Sequence, residues 1–183
     1  MIIYAHGLKH GQSKSAKGEL LCRKLGACTP DLPANPKEAV TVLEDLILAN
    51  TNVMLVGHSL GGFYAAYLAN KHNIPVILTN PSVRPQDSPL LSSLAKGDET
   101  FQNALRAILT GYDTPIRNPD HFLVMLQKSD EVLEYREAFK HYQQCNLIVL
   151  NGGSHKWDDF EHFLPIVEYF YQLNFGANPH ESN

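Results

Sequence analysis

Ser59 stands in Gly57-His58-Ser59-Leu60-Gly61-Gly62, directly after the apolar run Val53-Met54-Leu55-Val56. A strand that runs straight into a Gly-x-Ser-x-Gly turn must reverse so tightly that larger flanking side chains would clash. Such a turn holds its serine strained, with Oγ raised at the carboxyl edge of a sheet. The next N–H, that of Leu60, opens the following helix and can point at a developing oxyanion. The string alone is common; the strand before it and the helix after it give it meaning.

A serine hydroxyl is a weak nucleophile until a base removes its proton, so a histidine and an orienting acid are required. After an elbow of this kind the chain order is acid, then histidine, each just past a later strand. Asp130 follows the apolar run Phe122 to Leu126, in Gln127-Lys128-Ser129-Asp130-Glu131. His155 follows Leu147 to Leu150, in Asn151-Gly152-Gly153-Ser154-His155. Both therefore fall at the same sheet edge as Ser59. Asp113 and Asp120 precede the relevant strand, and Asp158 and Asp159 come after His155, so none of them has the right place in the order. Glu131 and Glu134 read as exposed residues at a helix start, where negative charge suits the dipole.

A second oxyanion donor is expected from the loop after the first strand. Gly7 lets the chain turn so that the Leu8 N–H faces Ser59, and His6 is a candidate substrate contact or a residue that only binds its own loop. Arg84, in Asn80-Pro81-Ser82-Val83-Arg84-Pro85, is a candidate for holding a substrate carboxylate or phosphate, or for an internal ion pair. Lys9, His10, Lys14, Lys17, Arg23 and Lys24 make the first loop and helix basic. That row reads either as a landing strip for an anionic substrate such as an acyl-CoA or as a solvated helix face.

The elements that must position these residues alternate along the chain. Strands are predicted at Ile2 to Ala5, Val53 to Val56, Pro75 to Thr79, Phe122 to Leu126 and Leu147 to Leu150, with a weak edge strand over Ala27 to Leu32. Helices are predicted over Ser15 to Leu25, from Pro36, over Leu60 to Lys71, over Glu131 to Tyr142, and from Asp159 to Leu173 with Asp158 as cap and Glu161 completing a capping box. Strand and helix in alternation imply a mostly parallel sheet with helices on both faces. Residues 1–175 form one domain on this reading, followed by a mobile polar tail over 176–183. Residues 83–120 form a Pro-, Ser- and Asp-rich insert around one helical patch, Phe101 to Leu109, placed where open α/β sheets carry a lid.

Composition bounds the function. At 183 residues, with 44% hydrophobic and 19% charged, the chain matches globular proteins and excludes a disordered or collagenous one. A net charge of -4 disfavours a nucleic-acid groove. Cys22, Cys28 and Cys145 include no Cys-x-x-Cys pair, which disfavours a disulfide framework or zinc site and suits a reducing compartment. No segment approaches the roughly 18 apolar residues of a membrane span, and no charged region precedes the first apolar run. A cytoplasmic location is expected.

Four blocks in order, Gly57 to Tyr64 (GHSLGGFY), Asn80 to Pro85 (NPSVRP), Ser129 to Arg136 (SDEVLEYR) and Gly152 to His155 (GGSH), resemble the YqiA-type small bacterial esterases, a compact branch of the α/β-hydrolase superfamily. The resemblance covers nearly the whole chain. It implies an α/β-hydrolase fold with a minimal sheet lacking the first strands of larger hydrolases, esterase or thioesterase activity, and a triad at Ser59, Asp130 and His155. Two departures, His58 in the elbow and the basic loop Leu8-Lys9-His10-Gly11, bear on substrate preference and leave the triad positions intact.

The expectation is thus a serine hydrolase of small-molecule acyl esters or thioesters that needs no metal or organic cofactor. The alternative is an α/β-hydrolase domain that binds a ligand or partner without turnover.

Overall fold

Five parallel strands cross one sheet in chain order: β1 (Ile2–Ala5), β2 (Met54–His58), β3 (Val76–Thr79), β4 (Phe122–Gln127) and β5 (Asn146–Leu150). They are seen in a computed structural model that describes residues 1–7, 15–87 and 99–176. Ile3 lies opposite Leu55, Val56 opposite Ile77, Leu78 opposite Val124, and Val124 opposite Leu147. Successive side chains point to opposite faces, so each strand feeds two cores at once.

On one face Ile3, Leu55, Leu78 and Val124 pack under α2 (Pro36–Leu48), α3 (Leu60–His72), α4 (Glu99–Tyr112) and α5 (Tyr135–His141). On the other, Tyr4, Val56, Ile77 and Met125 pack under α1 (Ala16–Leu25) and α6 (Leu164–Phe175). Burying one such aliphatic or aromatic side chain stabilises the fold by about 1.5–3 kcal/mol. Caps fix the ends of the first two helices. The Ser15 side chain accepts from Gly18 N, and Gly26 closes α1 in the left-handed region at φ 64°. Asn35 accepts from the N–H of Lys37 and Glu38 ahead of α2.

Several expectations are corrected in detail. Ala27 to Leu32 forms no strand; a single parallel bridge, Ile3 to Cys28, is all that pairs there, consistent with Pro30 and Pro33 lacking donors. The helix predicted over 131–142 begins at Tyr135, because Asp130 Oδ1 takes the N–H of Val132 and Leu133 and holds that stretch in a turn. The last helix starts with a 3₁₀ turn (Phe160–Phe163) before α6, and Asp159 at its start makes no side-chain cap. Asp158 accepts instead from the Ser154 hydroxyl at 3.0 Å, so the capping box is not formed.

The described part of the 83–120 insert contains a firmly docked helix. Phe101, Leu105, Ile108 and Tyr112 of α4 are buried in the core shared with α2 and α3. The Tyr112 and Tyr142 hydroxyls share a buried hydrogen bond of 2.7 Å, and the Tyr112 ring lies 4.6 Å from Phe63. Residues 88–98 lie outside the described residues, as does the tail beyond Gly176, which closes α6 at φ 65°. Cys22, Cys28 and Cys145 are free. Among the described residues no helix is long and apolar enough to cross a membrane.

Candidate active site

Ser59 sits between β2 and α3 at φ 54° and ψ −124°. A non-glycine residue held there costs on the order of 1–3 kcal/mol, and persists only where its surroundings fix it. The Ser59 N–H donates to Thr79 O at 3.3 Å, and Ser59 O accepts from Ser82 N at 3.0 Å. Gly61 lets α3 lie against the end of β1: a Cβ there would stand 2.2 Å from Ala5 O. Gly7 fits beneath the serine, where a Cβ would meet Ser59 Cβ at 3.0 Å.

Asp130 and His155 arrive from the ends of β4 and β5. His155 Nε2 lies 3.0 Å from Ser59 Oγ, and His155 Nδ1 lies 2.8 Å from Asp130 Oδ2. The Asp130 carboxylate is an acceptor, so Nδ1 carries the proton and Nε2 presents its lone pair to the serine hydroxyl. The Asp130 side chain is 2% exposed and that of His155 13%. Burial of the carboxylate is offset by two backbone donors on Oδ1, Val132 N and Leu133 N, both at 2.8 Å. The turn that shortens α5 is therefore the device that aims the acid.

The loop carrying His155 is braced from below. Buried Gln127, the last residue of β4, accepts Ser154 N at 3.0 Å on its amide oxygen. Asn80, also buried, donates to Ser154 O at 3.2 Å and accepts Gln127 N at 2.9 Å. Gly153, at φ 81°, passes so close that a Cβ would lie 2.2 Å from the Gln127 amide carbon. Glu131, read as a helix-start residue, accepts the His155 backbone N–H at 2.9 Å, and that bond lowers its carboxyl pKa.

Other residues fall as follows. Leu60 is buried and opens α3, where an N–H has no intrahelical acceptor. Leu8 lies outside the described residues, as do Lys9, His10 and Lys14. His6 donates from Nδ1 to Gly7 O at 2.7 Å and accepts Leu32 N on Nε2 at 3.2 Å, which holds its own loop. Arg84 is exposed and faces Asp87 at 3.7 Å, an internal ion pair. His121 precedes β4, at the opposite edge of the sheet from Ser59, among the residues lining a cavity of about 220 Å³ with Asn52 and Asn73.

Of the basic row, only Lys17, Arg23 and Lys24 lie among the described residues. Lys24 pairs with Glu161 at 3.3 Å, and Lys17 is buried at 7% exposure, contrary to both readings given to it. Its ammonium reaches Thr79 Oγ1 at 3.4 Å and lies 5.2 Å from the centre of the Phe160 ring. Burial lowers its pKa to about 7, with the Asp158 charge opposing. His58, the variable residue of the elbow, sets its ring 5.0 Å from that of His155. Burial, with the charges of Lys17 and His155, drives the His58 pKa well down. Among the described residues no cluster of three His, Cys, Asp or Glu is arranged to hold a metal ion.

The arrangement can deliver a serine oxygen to an electrophilic carbon while an imidazole removes its proton. Comparison with known proteins agrees with the fold that carries it. An uncharacterised protein family, UPF0227, matches residues 1–172. Mouse α/β-hydrolase domain-containing protein 10 superposes with a TM-score of 0.68 at 16% identity, over 94% of this chain and 90% of that one. A monoacylglycerol lipase of Paleococcus ferrophilus gives 0.64 at 16%, over 93% of each chain. MGS-MChE2, an α/β-hydrolase enzyme from a lagoon-sediment metagenome, gives 0.64 at 17%, over 95% and 91%.

Proposed function

The chain belongs to the UPF0227 family, that of the YqiA-type proteins, and has the α/β-hydrolase fold; on that premise we propose that it is a serine hydrolase of carboxylic esters or thioesters. The observation that carries this reading is the continuous chain from Asp130 through His155 to Ser59, with links of 2.8 and 3.0 Å. The lipase and hydrolase names of the superposed structures support the same class.

Ser59 Oγ attacks the carbonyl carbon as His155 Nε2 takes its proton. The resulting imidazolium stays bonded to Asp130, which fixes its tautomer and stabilises its charge. The Leu60 N–H receives the oxyanion. The tetrahedral intermediate expels an alcohol or thiol, which takes the proton back from His155. A water then enters, loses a proton to the same imidazole and releases the acid, which restores Ser59. Lys17 and Lys24, engaged within the chain, lend no support to an acyl-CoA among the thioesters.

The test is hydrolysis of p-nitrophenyl esters from short to long acyl chains, with a fluorophosphonate label, on wild type and Ser59→Ala. Wild type should turn over and label. The variant should fold, lose labelling and lose kcat by roughly 10⁵- to 10⁶-fold, as triad knockouts do. Equal activity in the variant would overturn the mechanism. Folded wild type with neither turnover nor label would favour the ligand-binding alternative.

A further inference from the structure

Lys17 is out of place by two rules. It is buried, and it occupies the first turn of α1, where a positive charge opposes the helix dipole. Such departures from local rules gather at functional sites. What surrounds the amine gives it a role. Thr79, at the end of β3, accepts from Lys17 Nζ at 3.4 Å on Oγ1. The same threonine holds His58: His58 Nδ1 lies 3.0 Å from Thr79 O and 3.1 Å from Thr79 Oγ1. The carbonyl can only accept, so His58 carries its proton on Nδ1. Its ring is tilted by 43° against that of His155.

We propose that Lys17, acting through Thr79, is a positioning residue for His58: it adds to burial in keeping that ring unprotonated, so that a neutral imidazole backs His155. This rests on the hydrolase reading and deepens it. Lys17 Nζ and His58 Nδ1 both bond one oxygen, so they are at most about 6.5 Å apart, where one buried charge suppresses protonation of the other roughly tenfold to a hundredfold. Burial brings Lys17 down to about 7, so below neutrality it charges first and His58 stays neutral. When Ser59 gives up its proton, the new imidazolium at His155 then meets an uncharged ring and not a second cation.

The groups facing the pair come from every neighbouring element. His58 meets Thr79 from β3, Lys17 from α1 and His155 from the loop after β5. Lys17 meets Thr79, His58, the Phe160 ring and the Asp158 carboxylate. Asp158 also accepts from Ser154, next to His155.

The experiment is Lys17→Met, close to isosteric, read in two ways. In NMR titration of the His58 ring, its pKa should rise by about one unit or more over wild type. In the pH profile of kcat/KM, the acid limb should steepen from one ionisation to two and move toward neutral pH. The double variant Lys17→Met/His58→Gln should return the limb to a single ionisation. A His58 titration unchanged in Lys17→Met, or a steepened limb that survives in the double variant, would overturn the proposal. The NMR reading needs no turnover, so failure of the hydrolase reading and failure of this coupling appear in different measurements.

Discussion

The two ends of the sheet are built by different rules. At the amino end the chain turns through Asn52 at φ 50° and Asn73 at φ 53°. Asn73 closes α3 by donating its N–H to Ala69 O, an ordinary use of asparagine in a left-handed cap. At the carboxyl end Ser59, Asn80 and Trp157 hold positive φ, while Lys17, Asn80 and Gln127 are buried polar groups. Serine and tryptophan have no local reason to adopt that backbone. Most of the buried polarity, and the strain at residues other than asparagine, collect where the proposed chemistry is.

Substitutions at the two ends should separate activity from stability. After Ser59→Ala, the largest effect is expected for Asp130→Asn, which keeps the shape and favours the wrong imidazole tautomer. Its kcat should fall by about 10⁴-fold with the urea midpoint little changed. A fall of less than tenfold would remove Asp130 from its role.

Lys17→Met should move stability the other way. A folded-state pKa near 7 against 10.5 unfolded means that the unfolded chain binds a proton the folded one refuses as pH falls between those values. Wild type loses stability through that window and regains none below it, whereas methionine does not titrate. The variant should therefore gain up to a few kcal/mol at pH 6 and much less at pH 10. Urea midpoints at both pH values decide it; an equal gain at both would count against the lowered folded-state pKa of Lys17.

Gln127→Ala removes the acceptor for Ser154 N and frees the loop that presents His155. About a hundredfold loss in kcat is expected, the size associated with misplacing a catalytic group by roughly 1 Å, with KM steady. The smallest effect belongs to the other end. Asn73→Ala should cost about 1 kcal/mol, because alanine dislikes φ 53°, and leave kcat/KM where it was. A large kinetic effect from Asn73→Ala would break the division between the two ends.

The fold was legible where apolar runs and small residues carry the information. The strands, the elbow at Gly57 to Gly61 and the order of Asp130 and His155 all follow from local chemistry and chain order. Part of what was hidden depends on distant neighbours. Lys17 reads as a polar helix position until Phe160 and Thr79 close over it. Gln127 and Asn80 look like strand-end polar residues, yet each needs the loop before His155 as its partner. The capping box at Asp158 fails because the Ser154 hydroxyl claims the carboxylate. Helix α5 starts late because the acid uses the N–H groups that would have begun it. For Lys17, Gln127 and Asn80 the deciding partner is distant in the chain, whereas Asp158 and Asp130 are claimed by groups within four residues that compete with the helix start.

The strands lie in the sheet in the order in which they occur in the chain, each paired with the one before. A ribosome therefore adds them from one side to the other. The segment with the elbow is made first, the orienting acid next, and the imidazole only with the last strand, ninety-six residues after the serine. The proposed nucleophile thus exists through most of synthesis without a base to arm it. On the proposed reading a half-made chain is chemically silent toward the esters around it, and reactivity arrives with the closing edge of the sheet.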